Sequence, residues 1–270
     1  MDLESQKNPL LDWPLVIEFI RQRAPAFLSQ LVGVPDEVIS TLIANRDVML
    51  PASYVEFLRL MGINSNGYFP FGGMQDHTFP SIIERFEDDE EDAPPAGRFF
   101  PVAIETDLSM DPLYDHYLDL QRGNGNDAPL VMLEPGVPFK WQTPIETSET
   151  FNERITKSVF CRFQLHNCTE RDVVAMGGGK LQAGGGSTAL QQALALLQRI
   201  GFTPALPLLG RVVCVQAGPL SVLAGVNEEY ELLTMQLGGN NSLAVKELAD
   251  QLLKDLPGAR QPAGPRNKKK

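Results

Sequence analysis

The chain has 270 residues, of which 43% are hydrophobic and 21% are charged, and this balance excludes a wholly disordered protein. Its three cysteines cannot all pair within the chain, which argues against a disulfide scaffold and for a reducing compartment. No apolar run approaches about 20 residues, so no transmembrane helix is predicted. The first residues, Met1–Ser5, are acidic and polar, unlike the start of a signal peptide, and we expect a cytoplasmic protein.

The formal net charge of −11 is unevenly distributed along the sequence. Residues 1–150 carry 25 acidic and 9 basic side chains, a net charge of −16, whereas residues 151–270 carry 9 acidic and 14 basic side chains, a net charge of +5. An acidic half repels nucleic-acid phosphates and attracts a basic protein. The same charge is also compatible with a role in solubility alone, and the sequence leaves both interpretations open.

In chain order, three helices are predicted first. Asp12 followed by Pro14 is typical of a helix start, and Pro25 is expected to interrupt that helix. A second helix is predicted to begin at Pro35–Glu37. The clearest helix covers Leu50–Gly62, and its apolar side chains recur at intervals of three and four residues: Tyr54, Phe57, Leu58 and Met61.

A block of strands is predicted next, after a turn at Asn66–Gly67. The strands cover residues 68–73, 98–106, 114–121 and 129–134. A further helix is expected to be capped by Ser148 and to carry Phe151, Ile155 and Val159 on one face. Strands in a block between helices favour an α+β fold with helices packed on a mainly antiparallel sheet.

One combination of motifs is distinctive. It consists of the Leu-Pro-x-x-Tyr-x-x-Phe-Leu helix at Leu50–Leu58, Gly62 with Asn66–Gly67, and a strand meander with Tyr117, Asp119, Pro129, Leu130 and Val131 before the helix at Ser148 and Phe151. Over roughly residues 15 to 160 the chain thereby resembles the SUKH superfamily, which includes bacterial toxin-immunity proteins and the fungal cell-wall-synthesis regulator. The resemblance implies a protein that acts by binding another protein, and it carries no catalytic residues.

Two glycine runs, Gly177–Gly179 and Gly184–Gly186, suggest a linker after the first domain. A helix is predicted from Thr188 to Ile200, and strands and a last helix follow. The predicted organisation is a SUKH-like α+β domain at 12–165, a glycine-rich linker at 166–186, a second small α+β unit at 187–257 and a disordered basic tail at 258–270.

The sequence contains no complete motif for phosphate binding, zinc binding or catalysis. The glycine run ending at Lys180 lacks the first glycine and the final Ser or Thr of a P-loop, and Cys161, His166 and Cys168 do not complete a zinc site. His77 and His116 each follow an aspartate, but strand neighbours point to opposite faces, which disfavours catalysis by either histidine. Cys214 lies in an apolar strand and is interpreted as a buried thiol. We therefore predict a non-enzyme without a cofactor or metal.

The sequence-based hypothesis is an immunity protein that occludes the active site of a cognate toxin, or binds another basic protein, with an acidic surface. No nucleic acid or membrane partner is expected. Seven carboxylates are proposed as rim and steering charges, and two aromatic side chains as apolar anchors. They are Asp76, Glu87, Asp88, Asp89, Asp107, Asp111 and Asp115, with Phe69 and Phe71. The alternative functional hypothesis is a regulatory or scaffold subunit of a larger assembly, and for the run 87–92 itself the alternative is a solvated loop.

Overall fold

The computed structural model describes residues 10–72, 75–87, 93–107, 109, 113–177, 185–227 and 231–262. In these residues the chain forms eight α-helices and two antiparallel sheets, which confirms the predicted α+β fold class. The chain divides into two compact units between Val159 and Phe160. We call them the N-terminal unit and the C-terminal unit.

The N-terminal unit combines helices with a five-stranded meander. Its helices are α1 (Trp13–Arg23), α2 (Pro25–Leu28), α3 (Asp36–Arg46), α4 (Ala52–Met61), α5 (Phe79–Glu87) and α6 (Phe151–Phe163), within which the unit boundary falls. Its strands are β1 (Gln75–Asp76), β2 (Phe99–Glu105), β3 (Asp115–Asp119), β4 (Pro129–Leu133) and β5 (Ile145–Thr150). Each strand pairs antiparallel with its sequence neighbour, in the order β1-β2-β3-β4-β5.

The predicted starts of the first helices are confirmed. The Asp12 carboxylate accepts a hydrogen bond from the Leu15 N–H at 3.0 Å and caps α1, and α3 begins at Asp36, within the predicted start at Pro35–Glu37. The first helix ends before Pro25, as expected, and the short helix α2 begins there. Helix α4 follows Pro51, which offers no side-chain cap. Its first N–H groups instead donate to carbonyls of the loop between β3 and β4, at 2.8 Å to Gly125 and 3.1 Å to Asn126. A tertiary contact therefore replaces a local cap.

Helix α6 begins with a capping box rather than with the predicted cap at Ser148. The Thr150 hydroxyl accepts from the Glu153 N–H at 3.3 Å, and the Glu153 carboxylate accepts from the Thr150 N–H at 2.9 Å. The Asp127 carboxylate is a third acceptor and accepts a hydrogen bond from the Asn152 N–H at 3.1 Å. The prediction at Ser148 was wrong because this residue still belongs to β5.

Aromatic rings from α4, β2 and α6 form the centre of the N-terminal unit. The Tyr54 ring lies 5.3 Å from Phe151 and 5.8 Å from Phe100, both edge-on, and Phe57 lies 5.7 Å from Phe151. All four side chains are fully buried. The residues that carry the Tyr-x-x-Phe pattern of α4 are therefore core residues that hold the helix on the sheet.

The predicted strand at 68–73 was wrong. The turn at Asn66–Gly67 is confirmed, with φ of 51° and 70° for the two residues, but Tyr68 to Gly72 are irregular. The Tyr68 hydroxyl bonds to the Ser158 hydroxyl and donates to the Ile155 carbonyl at 3.4 Å, and the ring of Phe71 is buried. Tertiary contacts of the two rings, not strand pairing, fix this segment.

The C-terminal unit is a six-stranded antiparallel sheet with two helices. Its elements are β6 (Glu170–Gly177), α7 (Gly185–Arg199), β7 (Thr203–Pro204), β8 (Val212–Ala217), β9 (Leu220–Asn227), β10 (Leu232–Gly239), α8 (Ser242–Asp255) and β11 (Ala259–Arg260). The strand order is β11-β6-β10-β9-β8-β7. Leu190, Leu197, Leu248 and Leu252 from the two helices share one hydrophobic core with the sheet.

The linker prediction for 166–186 was wrong for Glu170–Gly177, which pair with β10 along their whole length. The strand precedes the first glycine run directly, and its alternate residues Val174 and Met176 enter the core. The tail prediction was wrong for Ala259–Arg260, which pair with β6. Residues 263–270, with the basic end of the predicted tail, lie outside the described residues.

Two buried tyrosines of the N-terminal unit predict opposite effects of removing a hydroxyl. The Tyr54 hydroxyl is buried and finds no hydrogen-bond partner among the described residues, whereas the Tyr68 hydroxyl is bonded. We expect Tyr54→Phe to leave the free energy of unfolding unchanged or to raise it, and Tyr68→Phe to lower it by about 1 kcal/mol.

Urea denaturation followed by tryptophan fluorescence checks this, since Trp13 and Trp141, the only tryptophans in the sequence, both belong to the N-terminal unit. The two variants are each other's control, because both remove one phenolic oxygen from a buried ring. A larger loss of stability for Tyr54→Phe than for Tyr68→Phe would contradict the assignment.

Candidate protein-binding surface

Helix α5, which the sequence analysis did not predict, organises the surface that carries several of the proposed contact residues. Asp76 fixes its start: its carboxylate accepts from the Thr78 N–H at 2.8 Å and from the Ser81 hydroxyl at 2.6 Å. Burial raises the pKa of Asp76, but the hydrogen bonds from Ser81 and Thr78 outweigh burial and leave the pKa below its ordinary value. Asp76 thus acts as a local cap and is only partly exposed.

An ion pair anchors the other side of α5 to the sheet. The Arg85 guanidinium lies 3.0 Å from one Asp115 oxygen, and the other oxygen accepts the Glu105 N–H at 2.9 Å. Burial raises the pKa of Asp115 above its ordinary value, although the Glu105 N–H and the Arg85 charge act in the opposite direction. Asp115 is only 1% exposed, so its prediction as a rim charge was wrong. Both oxygens of this carboxylate are bonded to groups within the unit and do not face a partner.

A groove of about 450 Å³ lies between α3 and α5. Its floor is apolar, with Leu42 from α3 and Phe79 from α5 nearly buried, while Val38 is 40% exposed along one wall. The lining residues are Val38, Thr41, Leu42 and Asn45 from α3 and Phe79 and Ile83 from α5, with Arg46 and Glu87 at one end. A groove with an apolar floor and polar residues along its walls is a candidate site for binding another molecule.

One end of the groove carries an ion pair beside a second exposed carboxylate. Glu87 is exposed and pairs with Arg46 at 3.3 Å, and the Arg46 guanidinium lies 5.8 Å from the centre of the Phe86 ring. Glu84 is also exposed on α5. In the sequence, Glu87 is followed directly by the five carboxylates of Asp88–Asp92. Asp88, Asp89 and Asp111, three of the predicted contact residues, lie outside the described residues.

The two proposed aromatic anchors have different environments. Phe69 is 49% exposed and meets the His77 ring edge-on at 5.9 Å, so it remains available on the surface. Phe71 is buried beside His77 and His116, at 6.5 Å and 5.7 Å, and its prediction as a surface anchor was wrong. Both rings follow the turn at Asn66–Gly67, and nothing in the local sequence distinguishes which of them enters the core.

Asp107 is a partly exposed carboxylate at the end of the sheet. It accepts hydrogen bonds from the Ser109 hydroxyl at 2.6 Å and from the Ser109 N–H at 3.0 Å. These bonds hold the pKa of Asp107 below its ordinary value, so it stays ionised. Of the proposed contact residues that the structure describes, Glu87 and Phe69 are exposed, and Asp107 and Asp76 are partly exposed.

Both histidines considered for catalysis are core residues. Burial lowers the pKa of His77, and burial with the nearby Arg154 lowers the pKa of His116 to about 4, against an opposing effect of Glu149. Their aspartate neighbours are engaged elsewhere, Asp76 with α5 and Asp115 with Arg85. The neutral rings pack among phenylalanines and contribute to the core.

Burial disfavours the thiolate form of two of the three cysteines. Cys214 is fully buried, and burial raises the pKa of its thiol well above the ordinary value. Cys168 is also buried, with its pKa raised by burial. Within the described ranges, no group of three or more His, Cys, Asp or Glu side chains is arranged to hold a metal ion, and no helix there combines the length and apolarity needed to cross a bilayer.

No protein-family model matches the chain, and no curated protein matches it either. The resemblance to the SUKH superfamily therefore stays a prediction that rests on the quoted residues.

The Arg85–Asp115 pair predicts a sharp contrast between two acidic residues proposed as contacts. Asp115→Asn leaves Arg85 without its buried counter-charge and should lower the free energy of unfolding by about 3 kcal/mol. Glu87→Gln disturbs only a surface pair and should change it by less than about 1 kcal/mol. Urea denaturation of both variants checks this, and equal stability of the two would show that the buried pair is not required.

His116 predicts a pH dependence of stability. Its native pKa is about 4, below the ordinary 6.5, so the unfolded chain binds a proton that the native state excludes. Stability is therefore full above about pH 6.5 and falls as the pH decreases toward 4. Between pH 7 and pH 4.5 the wild type should lose about 2 kcal/mol more than His116→Phe.

The control for this experiment is His166→Phe, since His166 is an exposed histidine. It should follow the wild-type pH profile. If His116→Phe loses as much stability in acid as the wild type, His116 is not the group responsible for the acid sensitivity.

Proposed function

We propose that this protein is a non-enzymatic binding protein of the cytoplasm, an immunity protein that neutralises a cognate toxin by covering a basic active-site cleft. The observation that carries the proposal is a groove with an apolar floor, with Glu87 in its lining and the exposed Glu84 on the same helix, in the half of the chain that has a net charge of −16. An acidic surface with an apolar floor fits a partner that is itself basic and partly apolar.

The resemblance to the SUKH superfamily supports this proposal, because it implies a protein that acts through binding. The structure adds that the motif residues Tyr54, Phe57 and Leu58 are buried, as expected for a scaffold whose surface, and not its core, determines the partner. Exposed Phe69 supplies an aromatic side chain of the type that contributes most to protein interfaces.

Toxins that cleave nucleic acids need basic clefts to hold phosphates, and an acidic protein competes for such a cleft. Long-range attraction would speed the encounter and would be weakened by salt, because the Debye length is about 10 Å at 0.1 M. The Asp107 carboxylate and the exposed Glu87 are placed to contribute to this field.

Pull-down with the products of neighbouring genes tests the proposal. We expect one of them to bind, to be toxic when expressed alone and to be neutralised by this chain. Its association rate should fall at least about tenfold between low and physiological salt. The proposal fails if no neighbouring product binds and none is neutralised.

A regulatory or scaffold subunit is the second candidate, and one feature favours it: the C-terminal unit has its own hydrophobic core and exposes Leu243 on α8. Light scattering on the full chain separates the two candidates. A stable oligomer that persists without any toxin would favour the scaffold, whereas a monomer that forms a complex only with a toxic partner would favour the immunity protein.

A further inference from the structure

We propose that the groove between α3 and α5 binds an amphipathic helix of the partner, with aliphatic side chains in the groove and lysine or arginine along its flank. This inference rests on the proposed function and specifies the binding surface and the chemistry of the segment that it recognises.

The dimensions of the groove favour a helix. Its α5 wall is formed by Phe79, Ile83 and Glu87, at intervals of four residues, and is therefore about 12 Å long at 1.5 Å per residue. Apolar side chains at positions i, i+4 and i+7 of a docked helix span about 10.5 Å. Two turns of helix thus match the length of the groove.

The apolar part of the groove is incompletely covered by the chain itself. Leu42 and Phe79 form a floor that is nearly buried, but Val38 keeps 40% of its surface exposed and Ile83 is half-buried. The exposed Thr41 and Asn45 complete the α3 wall without charge. Aliphatic side chains of a partner would remove this apolar surface from water, which favours binding.

The charges around the groove select a basic helix. The single cation in the lining, Arg46, is already paired with Glu87 and lies near the Phe86 ring. Glu84 neighbours Ile83 on α5, and Glu37 lies one helical turn before Thr41 on α3; both are exposed. An acidic helix would be repelled here, and a basic helix attracted.

Synthetic helical peptides of about 18 residues test the inference without knowledge of the partner. One carries leucines at i, i+3, i+4 and i+7 with lysines elsewhere, the second replaces the lysines with glutamates, and the third has the first composition with the leucine stripe scrambled. We expect the lysine peptide to bind at least about tenfold more tightly than either of the others in fluorescence anisotropy.

Variants locate the binding. Thr41→Trp fills the groove and should weaken the lysine peptide at least about tenfold at any salt concentration. Glu84→Gln combined with Glu87→Gln should weaken it about fivefold at low salt and much less at high salt. The matched controls are Thr188→Trp, at an exposed position of α7, and Glu247→Gln with Asp250→Asn, at the same spacing on α8; both should bind like the wild type.

Three results would overturn the inference: equal binding of the scrambled or glutamate peptide, binding that Thr41→Trp leaves unchanged, or an oligomer that Thr41→Trp dissociates, which would make a second copy the occupant. The outcome is separable from the proposed function. A toxin bound equally by wild type and Thr41→Trp disproves the groove but not the immunity role. Selective peptide binding without any toxic partner disproves the immunity role but not the groove.

Discussion

The pair between Arg85 and Asp115 is the constraint on which the N-terminal unit depends. A carboxylate that is 1% exposed in the middle strand of a sheet is stable only with a cation and a donor beside it, and Arg85 and the Glu105 N–H supply them. The same contact ties α5 to β3 across 30 residues of sequence. Since α5 forms one wall of the groove, an interaction inside the fold determines the shape of a surface.

Burial divides the acidic residues into two populations that composition cannot separate. Asp115, Asp119 and Asp127 hold the fold together: Asp119 receives a two-pronged contact from Arg98 at 2.9 and 3.2 Å, and Asp127 accepts N–H groups at the start of α6. Glu84 and Glu87 remain at the surface. The net charge of −16 in residues 1–150 therefore overstates the charge that a partner meets at the surface.

The elements that could be predicted from the sequence are those that depend on the spacing of neighbouring residues. The fold class, the cap at Asp12 and the helix around Tyr54 and Phe57 follow from spacing alone. Helix α5 was missed because its start depends on a carboxylate, Asp76, that lies three residues earlier and precedes a histidine and a threonine rather than an apolar stripe. The groove and the burial of Asp115 could not be predicted, because both depend on Arg85, whose partner no periodicity identifies.

The outermost strands have a consequence for the behaviour of the chain at high concentration. In the C-terminal sheet they are β7 and β11, of two residues each, and β7 contains Pro204, which has no N–H to offer an incoming strand. In the N-terminal sheet β1 is equally short, while β5 is irregular in register and carries Glu146 and Glu149. Such edge strands are poor templates for pairing with a strand of another molecule, so neither sheet readily extends edge to edge.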